Sequence, residues 1–171
     1  MPSFSNIRRV PFTAQQMFAL VSDVEAYPEF LPLCESLAVL ARRTEGDTTI
    51  LDARMGVGYR AIRETFVSRV TLMPGGGVPA ILVEYRDGPF RRLQNRWRFI
   101  PAAGSPDGAV QGAACDIDFY VDYEFRSPML ALLMGAVFDR AFRQFAGAFE
   151  DRARRVYGAA SATTPNRTSS A

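Results

Sequence analysis

The 171-residue sequence contains no histidine and no lysine; all 20 of its basic residues are arginine. Without histidine the commonest general base is missing, and with it the Ser/His and Cys/His nucleophile pairs and most zinc sites. Hydrolase and metalloenzyme chemistry is therefore disfavoured, and no metal or cofactor is expected. Only two cysteines occur, Cys34 and Cys115, far apart and outside any CxxC pairing. Two reduced, packed thiols are expected rather than a disulfide framework, which suits a cytosolic protein. No run approaches the roughly 20 apolar residues that cross a bilayer. The opening MPSFSNIRRVPF has no apolar core of signal-peptide length, so export is not expected. A net charge of +2 says little about nucleic acid until the arginines are located.

What is present fits one ordinary domain, with 48% apolar and 22% charged residues. Residues Ser3 to Val10 alternate and end at Pro11, as a short strand does. Thr13 is a plausible N-cap for a helix carrying Met17, Phe18 and Val21, which Pro28 stops; a further helical turn is expected around Val24 to Tyr27. Strand-like segments follow over Glu35–Ala41, Thr48–Met55, Arg60–Met73, Ala80–Tyr85, Arg91–Ile100 and Ala114–Phe125. Between them lie TEGD, GVGY, PGGGVP, RDGPF and a loop over 101–113 rich in Gly, Ala and Pro. Ser127-Pro128 opens a long helix to about Tyr157, with Gly158 as its stop. Its residues Leu130, Leu133, Met134, Val137, Phe138, Ala141, Phe142, Phe145, Ala148, Phe149 and Val156 recur at three and four. They form one apolar stripe that must face a sheet. Residues 159–171 lack core-forming side chains and are expected to be a disordered tail.

Alternation assigns the sheet faces. Leu93, Asn95, Trp97 and Phe99 share one face, and Arg92, Gln94, Arg96 and Arg98 share the other. In the last strand Ile117, Phe119, Val121, Tyr123 and Phe125 oppose Asp116, Asp118, Asp122 and Glu124. Acids beside arginines predict cross-strand ion pairs on a solvated face, which absorbs much of the basic charge that a phosphate-binding stripe would need. The inner face carries Phe66, Trp97, Phe99, Phe119, Tyr123 and Phe125 against Phe138, Phe142, Phe145 and Phe149. A close-packed core is one reading of this. The other is a largely apolar cavity, because Glu64, Ser68 and Asn95 also fall in inward register.

The stretch VSDVEAYPEFLPLCESL, Val21 to Leu37, is a helix that breaks into two prolines and a cluster of large apolar residues. In a meander, alternate turns lie at one end, so FLPLC, GVGY, RDGPF and FRSP gather there. Phe30, Leu31, Pro32, Val57, Tyr59, Pro89 and Phe90 are then expected around one rim, the mouth of a hydrophobic cup.

Four segments in order, DVEAYPEFLPLCESL (23–37), GVGYRAIRETFVSRVTL (56–72), DGPFRRLQNRWRF (87–99) and FEDRARRVYG (149–158), resemble the coenzyme Q-binding proteins of the polyketide cyclase and START-like superfamily. The resemblance covers about residues 1–158. It implies an α+β helix-grip fold, a curved antiparallel sheet of about seven strands around a long C-terminal helix. It also implies a polyprenyl quinone ligand, since the family includes a mitochondrial ubiquinone-binding chaperone that supports respiration and ubiquinone synthesis. Its bacterial relatives include ribosome-association toxins. Three functions follow as expectations. The first is a non-enzymatic cytoplasmic carrier of ubiquinone or an isoprenoid precursor. It would bind through Phe30, Leu31, Pro32, Tyr59, Phe66, Phe90, Trp97, Phe99, Phe119, Tyr123, Phe138, Phe142 and Phe145. It would touch the inner membrane transiently with help from Arg86, Arg91 and Arg126, and would not bind DNA. The second is a binder of the large ribosomal subunit through Arg92, Arg96 and Arg98. The third, least favoured, is a cyclase using Glu64 with Tyr59 or Tyr123.

Overall fold

In the computed structural model, residues 3–102 and 114–158 are described. The expected 159–171 tail and most of the 101–113 loop lie outside them. The chain runs through strand β1 (Ser3–Val10), helix α1 (Ala14–Ser22), a 3₁₀ segment (Val24–Glu29) and strands β2 (Cys34–Glu45), β3 (Thr48–Tyr59), β4 (Ile62–Met73), β5 (Ala80–Asp87), β6 (Phe90–Pro101) and β7 (Cys115–Phe125). It closes with helix α2 (Pro128–Ala153), which widens at its end into a π-helical turn over Arg154–Gly158. All neighbours are antiparallel in one sheet ordered β1-β7-β6-β5-β4-β3-β2. This is the helix-grip architecture: a curved seven-stranded sheet around one long helix.

Local chemistry explains the helix starts. At α1 the Thr13 hydroxyl accepts from the Gln16 amide at 3.0 Å, and the Thr13 amide donates to Gln16 Oε1 at 2.9 Å, a reciprocal capping box. At α2 the Ser127 hydroxyl accepts from the Leu130 amide at 3.2 Å, and Pro128 occupies the first turn, where its missing N–H costs nothing. Two boundaries differ from the sequence reading. GVGY belongs to β3 rather than to a turn, and the reversal falls one residue later at Arg60, which takes a positive φ of 55°. Strand β2 runs on to Glu45, because the tight β2–β3 hairpin pairs Arg43, Thr44 and Glu45 with Ile50, Thr49 and Thr48 and leaves only Gly46 and Asp47 in the turn.

The predicted ion pairs stand on the outer face. Arg98 pairs with Asp118 at 3.3 Å, and Arg92 with Asp122 at 2.8 Å and Glu124 at 3.1 Å; Arg9 on β1, outside that expectation, also pairs with Asp116 at 2.6 Å. The inner residues of β7 (Ile117, Phe119, Val121, Tyr123, Phe125) are all buried. Along α2, Met134, Phe138, Ala141, Phe142 and Phe149 face inward as the spacing predicts. Leu133 and Val156 do not; they are 56% and 47% exposed. Glu150 takes an inward position instead, its carboxylate held by Arg8 at 3.1 Å and Arg154 at 2.7 Å. A buried carboxylate needs such partners.

Candidate functional site

Helix α2 packs on β7 and β1, and α1 lies against β6 and β5. Strands β3, β4 and β5 curve away from α2, and the sheet and helix do not quite meet there. Between them lies an apolar cavity of about 90 Å³. Its sheet wall is Ala53, Met55, Val57, Phe66, Ser68, Val70, Val83, Leu93, Asn95 and Trp97. Its helix wall is Phe138, Ala141, Phe142, Phe145 and Phe149, and Val24, Tyr27, Leu31, Pro32, Leu33 and Leu37 close the side. The segment that breaks up after α1 thus forms one wall of the cup.

Of the expected ligand-binding residues, the structure brings Leu31, Pro32, Phe66, Trp97, Phe138, Phe142 and Phe145 together around this cavity. It places Phe30, Tyr59, Phe90, Phe99, Phe119 and Tyr123 behind or beside the wall. Phe30 stacks edge-on against Phe149 at 5.1 Å and lies under the Arg152 guanidinium, and Arg152 pairs with Glu29 at 2.7 Å. These contacts clasp the 3₁₀ segment to α2. Phe90 is fully buried in a knot with Phe66, Tyr85, Tyr123, Phe125 and Phe138. Phe99 meets Phe18 and Trp97; Phe119 meets Phe4, Trp97 and Phe145; Tyr59 lies beside Arg60. Phe119 and Tyr123 are on β7, directly beneath α2, so helix side chains fill the space in front of them.

The expected exposed rim is also revised. Leu31, Val57 and Phe90 are buried, whereas the large exposed apolar side chains nearest that end are Met129 (71%), Leu132 (84%) and Leu133 (56%) on the first turns of α2. The turn end itself is as expected. Gly58 donates to the Leu33 carbonyl at 3.0 Å, and Arg126 donates from its amide to the Pro89 carbonyl and from Nε to the Phe90 carbonyl.

Sequence reasoning missed Leu37, Ala53, Met55, Val70 and Val83, which supply much of the wall, and set Val57 on an exposed rim rather than in the wall. Their signal was the inward alternation of β3, β4 and β5, with Leu37 added from β2. It was overlooked because aromatic residues drew the weight, although a cavity is made where side chains are small.

Polar groups on the wall are few and almost all internally satisfied. Asn95 Nδ2 donates to the Tyr120 carbonyl at 2.9 Å, and Trp97 Nε1 donates to Asn95 Oδ1 at 2.8 Å. The Tyr27 hydroxyl donates to the Val21 carbonyl, and burial pushes its pKa well up. Burial likewise raises Cys34 and Cys115 to about 11 and Tyr123 to about 12, so the thiols and this phenol are neutral at pH 7. Neither thiol is therefore an activated nucleophile. Glu64 is half-buried, and neither it nor the tyrosines with which it was paired as acid and base, Tyr59 and Tyr123, is on the cavity wall. The site can hold an apolar molecule; it offers no set of titrating groups for proton transfer.

An unfilled apolar space gripped between a curved sheet and one helix defines a class of small-molecule-binding proteins. Residues 10–150 match the family described as polyketide cyclase / dehydrase and lipid transport, and the chain belongs to that family. It is 36% identical to the ribosome association toxin RatA of Escherichia coli (strain K12), over 93% of this chain and 91% of that protein. It is 34% identical to the mitochondrial coenzyme Q-binding protein COQ10 homolog B of Xenopus laevis, over 91% of this chain and 59% of that protein. The solution structure of the 18 kDa protein CC1736 from Caulobacter crescentus superposes with a TM-score of 0.68 at 32% identity, covering 92% of this chain and 99% of that one.

Proposed function

We propose that this protein is a non-enzymatic carrier that binds ubiquinone, or an isoprenoid relative of it, and presents it at a membrane surface. The observation that carries this reading is the apolar cavity between α2 and β3–β5, whose wall has no charged side chain among the described residues. The similarity to a protein named for coenzyme Q binding supports the ligand class.

Size sets the conditions of transfer. At about 90 Å³ the cavity is smaller than the ~150 Å³ that admits a benzene ring. Ligand uptake therefore requires Phe138, Phe142 or Phe145 to swing, or α2 to move outward. A prenyl unit of five carbons gains roughly 4 kcal/mol on leaving water, at about 0.8 kcal/mol for each carbon. A long tail left in water would forbid transfer, so the protein works while the tail stays in a bilayer. Met129, Leu132 and Leu133, with Arg126 beside them and Arg91 nearby, form an apolar patch with basic neighbours at the turn end of the molecule. That pairing suits an anionic lipid surface, here assigned to the cytoplasmic face of the inner membrane.

The test uses Trp97, the single tryptophan, which lines the cavity and is 3% exposed. Titration with a short-chain quinone should quench its fluorescence saturably, and solvent extraction of protein from its native host should release a quinone identified by mass spectrometry. Linear, non-saturable quenching together with a lipid-free extract would overturn the carrier reading.

The similarity to RatA favours a second reading, association with a ribosomal subunit. Arg92 and Arg98 are already engaged by acids, and Arg96 stacks on Tyr120 at 5.2 Å, which leaves the expected arginine stripe largely committed. Co-sedimentation with large subunits that survives physiological salt would favour this reading over the first.

A further inference from the structure

We propose that the Ser68 hydroxyl is the polar anchor of the cavity, the group that hydrogen-bonds a carbonyl oxygen on the ring of an otherwise apolar ligand. This rests on the carrier reading and specifies which end of the ligand goes in. Ser68 breaks the inward run Phe66, Ser68, Val70, Leu72 along β4 and is 4% exposed. It forms part of the cavity wall, next to Ala53 across β3. Its hydroxyl has no hydrogen-bond partner among the described residues.

Buried hydroxyls are nearly always paired, because an unpaired one carries a desolvation penalty of about 1–3 kcal/mol. A strand position facing apolar neighbours would be filled more stably by alanine or valine. The other polar groups on the wall are spoken for: Asn95 by Tyr120 and Trp97, and Tyr27 by Val21. Among the described wall residues, Ser68 is thus the one whose side-chain polar atom has no partner at all. A hydroxyl can donate to a carbonyl oxygen, which matches a quinone or aromatic ketone with the ring inside and the tail toward the surface. Among the described residues no cationic side chain lines the cavity, so a carboxylate or diphosphate head placed there would be buried without a counter-charge. Fatty acids and prenyl diphosphates are excluded as head-in ligands.

The test measures Ser68→Ala and Ser68→Thr against two probes that share a tail, decyl-benzoquinone and decylbenzene, by calorimetric titration. Ser68→Ala should weaken quinone binding about tenfold, the effect of one lost hydrogen bond. It should leave decylbenzene affinity unchanged and the ligand-free melting temperature unchanged or raised, because alanine removes an unpaired polar group. Ser68→Thr should restore quinone binding. Equal loss for both probes, unchanged quinone binding, or a lower ligand-free melting temperature in Ser68→Ala would overturn the anchor. Wild-type protein that takes up neither probe refutes the carrier reading itself.

Discussion

Filling the cavity should stabilise the fold and abolish ligand uptake, two effects that no ordinary core substitution produces together. Ala53 is 5% exposed on the inward face of β3 and borders the cavity beside Ser68. Ala53→Leu adds three carbon atoms. Taking a water's share of liquid, roughly 30 Å³, as the yardstick for each, the added bulk is about the size of the 90 Å³ space. At about 0.8 kcal/mol for each carbon removed from water, the gain reaches at most ~2.4 kcal/mol, less the cost of ordering the new side chain. In a solid core the same change forces strained rotamers and costs about 1–3 kcal/mol. The sign of the stability change therefore distinguishes a cavity from a filled core. Urea unfolding followed by Trp97 fluorescence reads the stability, and quinone quenching in native buffer reads the uptake. A variant that is destabilised by 1 kcal/mol or more and still binds quinone would refute the reasoning from cavity to ligand.

Three further outcomes are expected. Gly88→Ala should destabilise by about 2 kcal/mol or more in denaturant titration, since Gly88 has φ of +139° and an added Cβ would sit 2.6 Å from Phe66 Cβ and 2.9 Å from the Thr65 carbonyl. Stability should fall as pH rises from 9 toward 11. Cys34 and Cys115 stay protonated in the fold to about 11 while the unfolded thiols ionise from about 9, which removes up to about 1.4 kcal/mol per pH unit for each thiol. Cys115→Ala should flatten that slope in unfolding curves at pH 8 and pH 10. Leu132→Asp should leave the melting temperature within a degree or two, because the side chain is 84% exposed, yet weaken binding to phosphatidylglycerol-containing vesicles in flotation at least tenfold. Undiminished flotation would remove α2's first turns from the docking surface.

The sequence by itself determined the order of elements, the two faces of each strand and the ion-paired outer surface. Each follows from local periodicity: alternation put Arg92 and Arg98 on the same outer face as Asp118, Asp122 and Glu124, and Thr13 and Ser127 marked helix starts through their own side-chain caps. It also marked Ser68 as a polar residue in inward register. Only the tertiary structure decided which inward residues touch empty space. Phe119 and Tyr123 have the same alternation as Phe66 and Trp97, but α2 lies over β7 and fills the space before them, while β3, β4 and β5 curve out of its reach; Phe90 breaks the alternation of β6 and turns inward only through the register shift between Phe90 and Arg92. Where a helix rests on a curved sheet depends on the sum of packing across the whole interface. A cavity is the part of that sum left over, and no single stretch of sequence encodes it.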